Sequence, residues 1–233
     1  MCSQTISNQY LYGLDSSQLI EVDAFKFEYD TANAFSALVS SAKQDGIAIA
    51  VCSSYRSFEA QAAIWNNKAT GKRKVLNKAS APIDISTLSA AELVRSILTW
   101  SALPGTSRHH WGTDIDVFDP RFIAKKDIQL IPQEYQTGGP CEALSLWLDK
   151  NANQYGFYRP YQQGKSGVSP EPWHISYAPK SLQYMALFDK QELRRIITEQ
   201  QIELFNEVDL QLEDIVTEYF YRVASADHIS SRS

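Results

Sequence analysis

The hydrophobic and polar positions of this chain follow two periods, and each period predicts a type of element. Residues 29–46 place apolar side chains at helical spacing and end at Gly46, which predicts a helix closed by glycine. The apolar run through residue 53 is short and rich in β-branched side chains, which indicates a buried strand. Residues 58–67 return to helical composition.

The middle of the chain carries a helix start and a second strand. Ser89 stands three residues before Glu92, the spacing of a capping box, so we predict a helix that begins there and ends near Ser101. Residues 113–119 alternate between polar and apolar with period two. Asp114 and Asp116 therefore share one face of a predicted strand, while the apolar residues between them face the core.

The remainder of the chain is largely helical. Residues 140–157 predict a helix closed by Asn and Gly, and residues 171–178 predict a short strand. The amphipathic helices after Pro179 belong either to an extra packed layer or to a homodimer interface, and the sequence leaves both open. We expect an α+β fold with a small antiparallel sheet flanked by helices. Residues 1–180 form the predicted domain, and residues 181–233 are a helical C-terminal extension packed on it.

Composition narrows the class of protein. The 233 residues, 44% of them hydrophobic, suffice for one globular body. A net charge of −5 with scattered basic residues argues against a nucleic-acid partner. Cys2, Cys52 and Cys141 lack metal-type spacing and are expected to be free thiols. Without a recognisable leader or a run of roughly 18 apolar residues, a cytoplasmic protein with no membrane contact is expected.

Three of the four histidines stand in polar motifs beside glycine or proline. His109 and Asp116 lie on either side of Gly112, and His174 follows a proline by two residues. An isolated His–Asp pair is usually a surface hydrogen bond. Three ligands with one position left open, however, are typical of catalytic zinc. Glu171, three residues before His174, is then suited to take a proton from water and to deliver it to a leaving amine.

Three motifs in this order resemble those of a known family. They are SxHxxGxxxD at residues 107–116, ExxH at residues 171–174 and SSYRS at residues 53–57. Over residues 25–180 the chain is similar to the zinc D,D- and L,D-carboxypeptidases of the VanY type, relatives of D-Ala-D-Ala dipeptidases, lysostaphin-like endopeptidases and the hedgehog domain. The resemblance implies a zinc site with three protein ligands and one general base and acid: His109, Asp116, His174 and Glu171.

The resemblance also implies roles in substrate binding. Arg56 matches the arginine that faces the scissile carbonyl or a substrate carboxylate, and a planar guanidinium suits either group. Ser107 matches the serine that helps to bind the terminal carboxylate. Gln61 and Tyr161 match weaker positions that touch the peptide.

The chain departs from the family pattern at Asp114, where alanine is common. This carboxylate either orients a ligand histidine or replaces Asp116 on the metal, and the motif register favours Asp116. His110 matches no ligand position and is predicted to lie at the rim of the site. Trp111 and Trp173 are expected to be packing walls. His228, near the C-terminus, is expected to be incidental.

Hydrolysis of a peptide bond that ends in a D-amino acid is the activity that the resemblance implies. A cytoplasmic D,D-carboxypeptidase would destroy the pentapeptide precursor of wall synthesis, so we expect an L,D-carboxypeptidase that trims tetrapeptide stems in muropeptide recycling. A D,D-carboxypeptidase acting on pentapeptide stems is the alternative. A zinc-containing muropeptide-binding module without catalysis is a third possibility, but it would not need Glu171, Arg56 and Ser107 together.

Overall fold

The structure is a computed structural model that describes residues 8–226, so Cys2 and His228 lie outside the described residues. Its strands are β1 Ile20–Val22, β2 Phe25–Phe27, β3 Ala50–Ser53, β4 Asp114–Phe118, β5 Phe157–Tyr158 and β6 His174–Tyr177. Its α-helices are α1 Asn8–Leu11, α2 Tyr29–Gln44, α3 Phe58–Ala69, α4 Ala90–Leu98, α5 Glu142–Asn151, α6 Ala178–Ala186, α7 Lys190–Gln200, α8 Phe205–Leu210 and α9 Leu212–Ile215. Short 3₁₀ helices span Ile85–Thr87, Arg108–Trp111, Pro132–Tyr135 and Ala152–Tyr155, and a π-helical turn, Val216–Tyr221, follows α9.

Two antiparallel sheets confirm the predicted α+β class. Strands β1 and β2 form a hairpin, and the main sheet has the order β3-β4-β6-β5 with every neighbouring pair antiparallel. Strand β4 is buried along its whole length. Ile115 and Val117 point into the core, so the two aspartates of β4 lie on the opposite face, as the period-two pattern predicts.

Two large apolar clusters form most of the core of the described residues. The sheet core joins β4 and β6 to α2 and α5 through Phe35, Leu38, Ile115, Val117, Leu144 and Ile175. The helical core joins the N-terminal segment, α3 and α4 to the last four helices through Tyr10, Trp65, Ile97, Leu193, Leu212 and Phe220. The apolar stripes after Pro179 therefore lie mostly inside the molecule. A few large apolar side chains of this region stay exposed: Leu187, Leu210 and Tyr221.

Local capping explains where the helices begin and end. The Glu28 carboxylate accepts from the Thr31 N–H at the start of α2, and Gly46 follows this helix in the left-handed conformation. The capping box of Ser89 and Glu92 is confirmed at the start of α4. Within the described residues, no helix combines the length and the apolar character required to cross a membrane.

The structure corrects three element boundaries. The helix predicted over residues 140–157 ends at Asn151, and a 3₁₀ turn leads into the edge strand β5. The long helices predicted after Pro179 are divided into shorter ones, because Asp189 caps a new helix and the backbone turns left-handed at Gln201 and Leu204. No element is predicted before residue 29, but the described residues there form a short helix and a hairpin, and Tyr10 and Tyr12 are buried.

Candidate metal centre and catalytic cavity

Strands β4 and β6 bring two of the predicted ligands side by side. Asp116 is paired with His174 in the antiparallel register, and Asp116 Oδ1 lies 3.4 Å from His174 Nδ1. His109 reaches the same point from the 3₁₀ helix Arg108–Trp111, with its Nε2 at 3.4 Å from Asp116 Oδ2. All three side chains are buried, and one ligand atom from each lies within 4.8 Å of the others.

A glycine at position 112 allows the turn between His109 and β4. Gly112 has φ +67°, and a Cβ atom there would lie 2.8 Å from the backbone nitrogen of Glu28. Its N–H donates to the His109 carbonyl, and its own carbonyl accepts from the Glu28 N–H. A side chain at this position would therefore be strained and would clash with the backbone before α2, which explains the glycine of the motif.

Hydrogen bonds fix both histidine rings so that one nitrogen of each faces the centre. His109 Nδ1 lies 2.8 Å from the Ser54 carbonyl oxygen, which can only accept, so Nε2 presents its lone pair to the centre. The backbone N–H of Arg56 donates to the His109 carbonyl. His174 Nε2 contacts Asp114 Oδ1 at 2.8 Å, which leaves Nδ1 for the centre. The contacts of His109 with the Ser54 carbonyl and with the Arg56 N–H hold the SSYRS segment against the SxH motif.

Asp114 lies behind the three ligands, in a buried polar network. It accepts from Arg108 Nε at 2.8 Å and from the Thr113 hydroxyl at 2.7 Å. Arg108 also donates to Tyr158 and to Ser176. Burial alone would raise the pKa of Asp114, but the Arg108 guanidinium and His174 hold that pKa well below its usual range. Asp114 is thus an ionised partner that orients His174, the first of the two roles left open by the sequence.

The three ligand atoms suit a zinc ion in their chemistry and spacing. Two imidazole nitrogens and a carboxylate are a set that zinc accepts, with bonds of about 2.0–2.2 Å, and tetrahedral geometry then separates the ligand atoms by roughly 3.3–3.6 Å. Separations of 3.4 Å join one Asp116 oxygen to His109 Nε2 and the other to His174 Nδ1, and one ligand atom of each residue lies within 4.8 Å of the others, so small side-chain shifts suffice for a zinc ion. Asp116 Oδ1 is buried without a hydrogen-bond partner. Although burial lowers the pKa of His174, the carboxylates of Asp114, Asp116 and Glu171 raise it well above its usual value, so the centre favours a cation.

The centre opens into a cavity of about 220 Å³, which Glu171, Arg56, Ser107 and Tyr161 also line. Glu171 Oε2 is 3.2 Å from His174 Nδ1 and is therefore beside the metal-facing atoms. Arg56 donates to the Gln61 side-chain oxygen and to the Ser53 hydroxyl, and burial lowers its pKa.

The residues expected to bind substrate besides Arg56 separate into two kinds. The Tyr161 ring packs edge-on against His174 with the ring centres 4.9 Å apart, at the cavity wall. Ser107 makes no capping hydrogen bond with its hydroxyl. Gln61, by contrast, is 1% exposed, and its amide is occupied by Arg56 and the Ala102 carbonyl. The expectation that Gln61 touches the peptide is not met by this geometry, because Gln61 lies behind Arg56 and supports it.

His110 is a correction to the sequence prediction. It is fully buried rather than at the rim, with Nδ1 2.6 Å from the Arg56 carbonyl and Nε2 accepting from the Gly105 N–H. Burial lowers its pKa to about 3, so it is neutral at pH 7. Trp111 packs in the helical core, as expected. Trp173 packs near Trp100 and also lines the cavity.

Sequence reasoning missed three basic residues that line the cavity: Arg108, which holds Asp114, and Lys68 and Arg73. Lys68 is buried, seven residues after Gln61 on α3, so two turns of the helix bring both to one face. That spacing was the available signal for Lys68. Arg73 comes from the basic loop after α3, whose sequence gives no indication of which of its cations faces the cavity.

Residues 24–180 match the family model described as VanY: D-alanyl-D-alanine carboxypeptidase. An uncharacterized protein of Haemophilus influenzae is 42% identical over 84 residues, 35% of this chain and 64% of that protein. A protein of Enterococcus faecalis named D-alanyl-D-alanine carboxypeptidase is 32% identical over 144 residues, 60% of this chain and 44% of that protein. The chain thus spans less than two thirds of the length of these relatives.

Solved structures have the same fold at lower identity. VanYB in complex with D-Alanine-D-Alanine is 22% identical, with a TM-score of 0.52 over 82% of this chain and 87% of that one. A mutant of the D,D-pentapeptidase VanY in complex with Zn(II) is 22% identical, with a TM-score of 0.51 over 82% of this chain and 88% of that one. The LdcB LD-carboxypeptidase is 20% identical, with a TM-score of 0.51 over 83% of this chain and 78% of that one. Because the family model matches most of the chain, including every residue of the metal centre, this protein belongs to the VanY family of D-alanyl-D-alanine carboxypeptidases.

Proposed function

We propose that this protein is a zinc-dependent peptidoglycan carboxypeptidase and that it removes the terminal D-Ala from tetrapeptide stems as an L,D-carboxypeptidase. The observation that carries the proposal is one buried cavity in which Glu171 lies beside the ligand atoms of His109, Asp116 and His174. The family and the named relative from Enterococcus faecalis support carboxypeptidase activity. A structure of the same fold contains Zn(II), which supports zinc as the metal.

A zinc ion held by His109, Asp116 and His174 would supply a Lewis acid and would make water nucleophilic at neutral pH. Glu171 then acts as the general base that takes the proton of the attacking water, and afterwards as the acid that gives a proton to the departing amine. Its carboxylate is within hydrogen-bond reach of the His174 nitrogen that faces the centre, so the base is adjacent to the reacting atoms.

Arg56, Ser107 and Tyr161 form the substrate-binding part of the proposed site. The Arg56 guanidinium, held by Gln61 and Ser53, donates hydrogen bonds to the oxyanion that develops at the scissile carbonyl. The Ser107 hydroxyl donates to the terminal carboxylate of the peptide. Tyr161 packs against His174 and shields that side of the centre from water.

The preference for L,D over D,D cleavage rests on the space beside the centre. In an L,D substrate the residue before the scissile bond is a diamino acid with a long polar side chain, whereas in a D,D substrate it is alanine. The cavity extends from the ligands to Lys68, Arg73 and Gln129, a polar lining that suits the longer side chain. The D,D alternative draws support from the family name, and proteins with this fold are named for either activity.

Muropeptide recycling in the cytoplasm is the setting that we propose for this activity. Removal of D-Ala from tetrapeptides spares the pentapeptide precursors of wall synthesis, so an L,D enzyme is compatible with that compartment.

We retain a homodimer as a further proposal, because Leu187, Leu210 and Tyr221 leave apolar surface exposed on the C-terminal helices.

Mass spectrometry of the products from matched tetrapeptide and pentapeptide muropeptides tests the proposal. The zinc-loaded protein should release one D-Ala from the tetrapeptide. A chelator should abolish the release, and Glu171→Gln should lower it by about 10²- to 10⁴-fold. Cleavage of the pentapeptide alone would establish the D,D alternative. Binding of either peptide without cleavage would refute the enzymatic proposal and favour a muropeptide-binding module.

A further inference from the structure

Lys68 is a buried cation in the cavity without an acidic partner. The residue is 6% exposed, and its Nζ donates to the Ser101 hydroxyl at 2.7 Å. Within residues 8–226, no carboxylate lies close enough to form an ion pair with it. A buried charge is usually paired or hydrogen-bonded by several groups, because its transfer from water is costly. Among the described residues, the Lys68 ammonium has only the neutral Ser101 hydroxyl as its hydrogen-bond partner.

A second cation of the cavity increases this imbalance. Arg73 lines the same cavity. Its positive charge, like that of Arg56, disfavours the protonated form of Lys68 and lowers the Lys68 pKa. Burial in the first place, and these neighbours in addition, lower the pKa of Lys68 to about 8, with Glu171 as the carboxylate that opposes the shift. A ligand with a negative charge would relieve the repulsion between Lys68 and Arg73.

Polar groups that could complete an anion site line the same cavity as the two cations. The Ser101 hydroxyl, bonded to Lys68, lines the cavity. The Ser80 Oγ lines it as well and is buried without a hydrogen-bond partner, on a residue with a left-handed backbone at φ +62°. Both hydroxyls can donate to a carboxylate. Lys68 and Arg73 therefore share the cavity with two hydroxyl donors that the proposed catalytic site does not use.

We propose that Lys68 and Arg73, with the Ser101 hydroxyl, form a carboxylate-binding subsite of the catalytic cavity. The inference rests on the proposed function and narrows its substrate class to stem peptides with a carboxylate that reaches this subsite. Lys68 and Arg73 are specificity-determining residues in this account. Neither takes part in the chemistry that we assign to Glu171 and Arg56.

Two carboxylates of a stem peptide have the required chemistry. One is carried on the side chain of the diamino acid when that residue is diaminopimelate, and is absent when the residue is lysine. The other is the terminal carboxylate of the peptide. A lysine side chain would bring a further cation toward Lys68 and Arg73, so a subsite for the side chain would discriminate strongly between the two diamino acids.

The test measures binding of three tetrapeptides by calorimetry on the zinc-loaded Glu171→Gln protein. The reference contains diaminopimelate and a free terminus, the second contains lysine in place of diaminopimelate, and the third has an amidated terminus. Each is measured again after Lys68→Met and, separately, Arg73→Gln. Lys74→Met, the loss of an exposed lysine outside the cavity lining, is the matched control for net charge.

We expect Lys68→Met to weaken the reference by about 10- to 100-fold, the effect of a lost charge-assisted hydrogen bond. The peptide without the bound carboxylate should be insensitive to the change, which identifies the source as the side chain or the terminus. Equal weakening of all three peptides, or of none, would overturn the subsite. Binding does not require turnover, so a wild-type protein that binds these peptides but cleaves none would refute the proposed function and leave the subsite standing.

Discussion

The face of β4 that carries the metal centre and the helical core are stabilised in different ways. On the sheet side, the face of β4 opposite the core carries charged groups that hold one another: Asp116 meets two histidines, and Asp114 meets Arg108 and His174. The helical core is a cluster of apolar and aromatic side chains from α1, α3, α4 and the last four helices. Chemistry is therefore concentrated in one region and packing in the other.

The contrast teaches where a substitution should change reactivity and where it should change stability. Ligand geometry at β4 depends on hydrogen bonds with few substitutes, so isosteric changes there alter the site. Packing in the helical core depends on volume and burial, which many combinations of apolar residues can provide. Substitutions at the metal centre should therefore change turnover or zinc affinity, and substitutions in the helical core should change the free energy of unfolding.

The largest effect is expected from Glu171→Gln. The change removes the proposed base but keeps the shape of the side chain, so hydrolysis should fall by about 10²- to 10⁴-fold. Zinc content and the melting temperature should stay at the wild-type level. Glu59→Gln, the same change at an exposed position of α3, is the control. Full turnover of tetrapeptide by the Glu171 variant would remove this residue from the mechanism.

A pair of leucines tests the helical core. Leu212 is 1% exposed and Leu210 is 81% exposed, only two residues away. Leu212→Ala should lower the free energy of unfolding by about 2–5 kcal/mol through lost burial and a cavity, whereas Leu210→Ala should change it little. Chemical denaturation gives both values. In both variants, turnover measured well below the melting temperature should equal that of the wild type, and a selective loss in Leu212→Ala would mean that the two regions are coupled.

Arg56→Ala should reduce turnover by about 10²- to 10³-fold, the usual result of removing a donor to a developing oxyanion. The protein should remain folded, because the partners of Arg56 are the neutral side chains of Ser53 and Gln61. Steady-state kinetics with circular dichroism checks both points, with Arg222→Ala at the exposed C-terminal surface as the control. Retention of full activity would exclude Arg56 from the site.

The smallest effect is expected at Asp114, which orients a ligand histidine, and it is compared with the effect of losing the ligand Asp116. Asp114→Asn should weaken zinc binding by about 10- to 100-fold, as expected when an orienting partner of a ligand histidine is altered. Asp116→Asn should weaken it much more, because a ligand is lost. Competition with a chromophoric chelator gives both affinities. The melting temperature is measured in parallel, since Asp114→Asn also leaves Arg108 without its charged partner. The reverse order of affinities would make Asp114 the ligand.

The metal centre could be predicted from the sequence because its residues are defined by spacing and chemical type. His109, Gly112 and Asp116 lie on one short segment, and the period-two pattern of β4 gives the face of both aspartates. The capping box at Ser89 is similarly local. These local predictions need only a few neighbouring residues, so tertiary structure had little opportunity to change them. His174 is distant in the chain, and its place in the predicted ligand set came from the resemblance of the ExxH motif to the family.

The residues that sequence reasoning misjudged depend on distant parts of the chain. His110 is adjacent to His109 but is buried by contacts with Arg56 and Gly105, and no local pattern indicates those contacts. The cavity positions of Lys68 and Arg73 follow from the packing of α3 beside the centre. The breaks at Asp189 and Gln201 interrupt continuous amphipathic patterns, because capping and left-handed turns override periodicity over a few residues.

The central claim is that His109, Asp116 and His174 bind one zinc ion, with Asp114 behind them. Anomalous diffraction at the zinc absorption edge, from crystals of the zinc-loaded protein, tests it most directly. We expect a single strong peak bonded to His109 Nε2, Asp116 and His174 Nδ1, with Asp114 still on His174 Nε2. A peak bonded to Asp114 in place of Asp116, or a zinc ion outside this group of residues, would contradict it.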